Sequence, residues 1–163
     1  MRGSDPNPRL VSSVLDRLLE DSVQTVAALP PSDGADLRQL TLDVGRDLEN
    51  LLNTRRRCKA CPPELQELNR SLIDYGIPDF TGLNMGAEAE QEQMRLAIER
   101  AIRQFEPRLA NVVVAVQRNV DRADRRLHLR ITGVLRTEPV PERVVFDSEV
   151  QPSTAAVAVS AVS

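Results

Sequence analysis

The chain of 163 residues is long enough for one hydrophobic core with some segments outside it, and its formal net charge of -3 gives no general attraction to phosphate. With no Trp, one Tyr and three Phe, the usual stacking platforms for single-stranded nucleic acid and for sugar rings are missing, so no nucleic-acid partner is expected. No stretch reaches the roughly 18 to 20 apolar residues of a membrane span, and the opening MRGSDPNPRL lacks the apolar centre of a signal peptide. A cytoplasmic protein without direct membrane insertion is the expectation. All but one of the 21 basic residues are Arg, Lys59 being the exception, which codon usage explains before any need for bidentate pairing.

Residues 1–9 are polar, with Pro6 and Pro8, after which Leu10, Val14, Leu15, Leu18 and Leu19 recur at helical spacing. They predict a short amphipathic arm whose Leu face must dock on its own domain or on a neighbour, since so short a helix is marginal alone in water. The stretch ALPPSDGA at 28–35 reads as a linker. From Asp36 onward, Leu37, Leu40, Val44, Leu48 and Leu51 form nearly a heptad seam and predict the first long core helix, about five turns ending near Asn53. The basic run and double proline of NTRRRCKACPP mark an exposed connection. Leu65, Leu68, Leu72 and Ile73 then predict a second helix, stopped by Gly76 and Pro78. A loop through Gly82 and Gly86 leads to a third, with Met94, Ile98, Ala101, Ile102 and Phe105 on one face.

The period changes at Glu106, Pro107 and Arg108. Pro107 cannot donate a backbone hydrogen bond and disfavours helical geometry at Glu106, so the helix ends abruptly there. The corner reads either as a solvated turn or as a Glu and an Arg held ready for a partner's charges with little ordering cost. Val112, Val114 and Val116 begin β structure. Leu127, Leu129, Ile131, Gly133 and Leu135 alternate with Arg126, His128, Arg130, Thr132 and Arg136 in a strand with one wet face, Val134 being the exception. NVDRADR has turn composition, and Pro139 and Pro141 precede a third strand, RVVFDSEV, suggesting an edge or a bulge. The uncharged tail STAAVAVSAVS is either a fourth strand or a disordered end.

Four runs, DVGRDLENLLNTRR, LNRSLIDYGIPDF, AIERAIRQFEPRLANVVV and LHLRITGVL, in that order and spacing, closely resemble the TssE family of baseplate wedge subunits in bacterial type VI secretion systems. That family belongs with the lysozyme-like wedge proteins of contractile phage baseplates. The resemblance covers roughly residues 10–150 and is strongest at DLENLLNTR, YGIPDF and FEPRL. It implies a compact α/β protein beside the wedge subunits TssF and TssG, at the foot of the contractile sheath built of TssB and TssC. By the resemblance, Glu106, Pro107 and Arg108 fall on the family's Glu-Pro-Arg motif, which docks onto the wedge core, and Asn53, Thr54 and Arg55 fall on its Asn-Thr-Arg. Wedge proteins of this family look like sheath subunits in the sheet region, which implies sheath contact through a strand edge near the tail, with internal pairing or disorder of the tail as the plain alternative.

Cys58 and Cys61 have the spacing of a redox pair or half a zinc site, but a single CxxC with one distant histidine, His128, does not complete four ligands. Two reduced loop thiols are the plainer reading, with a small redox adaptor as a rival. A lysozyme-like hydrolase needs two carboxylates across a sugar cleft, and among 24 acidic residues some pair satisfies any distance, so the count decides nothing. The missing aromatics weigh against a peptidoglycan-degrading hydrolase. The expectation is therefore a non-enzymatic structural component without cofactor. Its α+β fold should have about three helices on one face of a small, largely antiparallel sheet. The limits are an arm and linker at 1–35, a wedge domain at 36–150 and a tail or edge strand at 151–163.

Overall fold

The computed structural model describes residues 33–56, 64–69, 71–80, 87–117, 126–137, 140–151, 154 and 156–162. Helix α1 spans Asp33–Asn53, α2 is the four-residue Gln66–Asn69, and α3 spans Glu88–Phe105. Four strands follow: β1 Leu109–Gln117, β2 Leu127–Leu135, β3 Glu142–Val150 and β4 Val157–Val162. Each pairs antiparallel with the next, giving a single sheet in the order β1-β2-β3-β4.

The sheet turns one face to the helices. Period-2 alternation in β2 buries Leu127, Leu129, Ile131 and Leu135, and the register sets Ile131 opposite both Val114 and Phe146. Helix α1 supplies Val44, Leu48, Leu51 and Leu52, and α3 supplies Met94, Ile98, Ala101 and Ile102, at the three- and four-residue steps that put them on one side. The helix α1 lies on β4 and α3 on β1, so the core is two helices side by side on a four-stranded sheet. The other face carries pairs such as Arg130 with Asp147, 2.8 Å apart, and stays wet. The α+β class matches the sequence pattern.

Two details depart from it, and one open reading is decided. Among the described residues the second helix is not continuous: Leu65 and Leu72 are 51% and 81% exposed, and the segment is α2 followed by a 3-10 turn at Leu72–Asp74. Ser71 explains the break, since its hydroxyl donates to the Leu68 carbonyl and accepts from the Ile73 N–H, offering the backbone an alternative to the helical ladder. The second departure is β3, which is interior rather than an edge; Pro141 stands just before its ladder begins, where no N–H is needed. The irregularity lies instead in β1, where the register shifts between Ala110 and Val113 and Asn111 adopts a φ of 51°. Finally, the tail forms β4, so of its two readings the strand is the one adopted. The arm at 10–19, the CxxC at 58–61, the loop glycines and the whole of the NVDRADR turn lie outside the described residues.

Both edges of the sheet meet a helix, in unequal measure. Along β1, Arg103 donates to the Val112 carbonyl at 2.9 Å, Glu99 accepts the Val114 N–H at 3.2 Å and Arg95 donates to the Val114 carbonyl at 3.2 Å. Along β4, Asn53 takes both backbone groups of Val157.

Candidate functional site

Two clusters contain the six residues singled out from the sequence, and α1 joins them. The first is the α3-to-β1 corner. Glu106 ends α3 with its N–H on the Ile102 carbonyl at 2.9 Å, and the Leu109 N–H returns to the Glu106 carbonyl at 3.2 Å, so the turn is complete in three residues. Its side chains do not splay outward. The Glu106 carboxylate, 5% exposed, accepts from the Arg108 Nε at 2.7 Å, from Nη2 at 2.5 Å and from the Arg108 backbone N–H at 3.2 Å. Arg108 Nη2 also reaches Asp47 of α1 at 2.5 Å.

This corrects the expectation of two charges displayed at the corner. A buried carboxylate needs its lone pairs satisfied, and a guanidinium two residues on, with a planar fork, satisfies both oxygens at once. Glu106 is therefore turned inward and Arg108 is half-buried, leaving Pro107 as the exposed member. The Glu106 carboxylate, with Asp47 beside it, holds the Arg108 guanidinium above its already high ordinary range, against the opposing pull of burial. Tyr75 stands against the same group, its ring edge-on to Phe105 at 5.1 Å. Burial first, then the negative charges of Asp47 and Glu106, raise its phenol above the ordinary value of 10.0.

The second cluster closes the C-terminal end of α1. Asn53 Nδ2 donates to the Glu49 and Val157 carbonyls, and Thr54 Oγ1 donates to the Asn50 carbonyl at 2.7 Å. The next residues then zip onto the YGIP turn: the Ile77 N–H donates to the Thr54 carbonyl at 3.0 Å, the Arg56 N–H donates to the Ile77 carbonyl at 2.9 Å, and Arg55 lies 3.9 Å from Asp79. Gly76 makes the approach possible. Its φ is 104°, and a Cβ there would lie 2.4 Å from the Thr54 carbonyl oxygen.

The segment 75–77 bridges the clusters, Tyr75 facing the corner and Ile77 pairing with the end of α1. Asp47 and Tyr75 were not singled out by sequence reasoning, although both lie inside the DVGRDLENLLNTRR and YGIPDF runs; what was missing was the long-range contact. His128 sits on the wet sheet face, 3.9 Å from Glu149. Among the described residues no group of three or more His, Cys, Asp or Glu is placed to hold a metal, and no helix is long and apolar enough to cross a membrane.

The sequence profile of the baseplate wedge protein gp25 family matches residues 38–140, well over half of the chain and inclusive of both clusters. The chain belongs to that family. The matched stretch of this wedge protein runs from α1 through β2, so β3 and β4 extend past it. The family is one of structural baseplate components. Among solved structures, a chain from the baseplate complex of the type VI secretion system is similar at 20% identity and a TM-score of 0.48, over 70% of this chain and 96% of that one. No curated protein matches the sequence.

Proposed function

We propose that this wedge protein is a TssE-type subunit of a type VI secretion baseplate, a cytoplasmic, non-catalytic adaptor that engages TssF and TssG and links them to the TssB–TssC sheath. The observation that carries the reading is the family match over 38–140, which encloses the Asn53-Thr54-Arg55 and Glu106-Pro107-Arg108 clusters. Because Glu106 is internally paired, the wedge-facing part of the corner is Pro107 with the open side of Arg108, presented on a geometry that Asp47 and Glu106 have already fixed. The wedge domain is assigned to 36–150, with α1 starting three residues earlier and β4 completing the same sheet as its edge strand.

The sheath contact is assigned to the outer edge of β4. Val157 turns both backbone groups away from β3 toward Asn53, so by strand alternation Val159 and Ala161 also face outward. Among the described residues no side chain bonds to them. Unpaired edge groups recruit strands, and none of the residues from Val157 to Val162 carries a charge that would deter one. The test is tagged purification from the native cell. The parent should recover TssF, TssG, TssB and TssC, and Val159→Pro, which removes an outward N–H, should keep the wedge subunits and lose the sheath. Recovery of no baseplate subunit by a folded, tagged protein would overturn the adaptor reading; sheath recovery unaffected by Val159→Pro would overturn the assignment to β4.

A further inference from the structure

The sheet has two edges, and α3 treats its own differently from the way α1 treats β4. Arg95, Glu99 and Arg103 form an i, i+4, i+8 row on one face of α3. Both arginines converge on Glu99, and the three side chains together meet the outward groups of Val112 and Val114 on β1. Glu99 is the centre: its side chain is 12% exposed, one oxygen accepts from Arg103 at 2.8 Å, and the other takes both Arg95 at 2.8 Å and the Val114 N–H. The two arginines held by it donate to the Val112 and Val114 carbonyls. Three consecutive edge groups, two acceptors and the donor between them, are thus satisfied by charged side chains. On β4, Asn53 serves Val157 alone.

Resting on the reading of β4 as the docking edge, we propose that Arg95, Glu99 and Arg103 seal β1 so that the sheet accepts an added strand at β4 only, and that the partner they exclude is the β4 edge of a second copy of this chain. The topology favours that partner. Strands β1 and β4 run in opposite directions, so a β4 laid beside a neighbour's β1 continues the antiparallel alternation unbroken. Four strands occupy about 19 Å of sheet width, which accommodates two helices at interaxial distances of about 8–10 Å, so successive copies also continue the helical layer. Such a contact is heterologous, and an unsealed chain at high concentration would add to itself head to tail.

The experiment compares the isolated, full-length parent with the triple substitution Arg95→Ala, Glu99→Ala and Arg103→Ala by sedimentation velocity across a concentration series, without wedge or sheath proteins. The unsealed variant should shift to larger, concentration-dependent species, and adding Val159→Pro on that background should return it to the parent's boundary. A folded triple variant that sediments as the parent does overturns the proposal, as does self-association that Val159→Pro leaves in place. Should the triple variant melt, Glu99→Ala alone carries the test, since it frees the Val114 N–H and leaves two arginines near their carbonyls. Faster amide exchange at Val114 without any rise in self-association would equally overturn the seal. None of these outcomes depends on whether sheath binds β4, so this test and the purification above can fail separately.

Discussion

Asn53 and Val157, 104 positions apart, share two hydrogen bonds: Asn53 Nδ2 donates to the Val157 carbonyl at 2.7 Å, and the Val157 N–H donates to Oδ1 at 2.9 Å. A carboxamide offers the same donor and acceptor as a peptide group, so the last residue of α1 stands in for one residue of a fifth strand. It fixes where the first and last described elements meet.

Asn53→Ala should therefore cost about 1–2 kcal/mol, the net worth of two partly buried hydrogen bonds, and loosen β4 at its start. Urea unfolding gives the loss, and amide exchange at Val157 should quicken more than at interior β2 positions. Equal protection at Val157 in parent and variant would show that the bond to Asn53 is not what protects it.

Arg108→Ala should destabilise the fold by about 2–3 kcal/mol, because it leaves the Glu106 carboxylate buried without its main donors. Glu106→Ala should cost less, since Arg108 keeps Asp47 and part of its side chain in water. An exposed pair would be worth under about 1 kcal/mol, so a thermal scan separates the two descriptions of the corner. A parent-like melt for Arg108→Ala would restore the exposed one.

Gly76→Ala should be the most damaging single methyl in the described chain, at least about 3 kcal/mol, because the positive φ and the 2.4 Å approach to the Thr54 carbonyl oxygen act together. Chemical denaturation measures it directly. A loss near that of an ordinary surface alanine would mean that the α1 end and the YGIP turn are not in contact in solution.

Tyr75 is the sole tyrosine and the chain has no Trp, so its near-ultraviolet phenolate signal titrates one site. Its folded value is raised, chiefly by burial and then by Asp47 and Glu106, while the unfolded value stays near 10.0. The protonated form is favoured in the folded state. The associated stability is fully present below pH 10 and is lost as pH rises toward and through the folded value. Tyr75→Phe should flatten that alkaline fall; a parent phenol titrating as a free tyrosine does would contradict the placement.

The sheet was legible because its signals are local: apolar alternation in β2 and β3 reports which face is buried, and Pro107 marks the end of a periodic helix. The corner's position was readable, but its orientation was not. Whether Glu106 points out or in depends on Arg108 folding back and on Asp47, which lies 61 positions away. Leu65, Leu72 and Ile73 misled for the same reason, since helical spacing in a short segment cannot show that Ser71 diverts the backbone. The row of Arg95, Glu99 and Arg103 reads in sequence as ordinary surface salt bridges, and its role emerges only when the β1 edge lies against it.

The irregularity at Asn111 has a consequence for chain length. Three steps along β1, from Ala110 to Val113, face two along β2, from Val134 to Thr132, so the strand holds one residue more than its ladder needs. Removing Asn111 would leave Leu109, Val112 and Val114 in an unbroken alternation, all still inward, with every later partner unchanged. The core would not register the deletion. What would change is the added local twist that a bulge gives a strand, and with it the direction from which Arg108 approaches Asp47. The surplus residue sets the aim of the corner rather than the fold of the sheet, which makes this the place where the chain can be re-pointed without being re-packed.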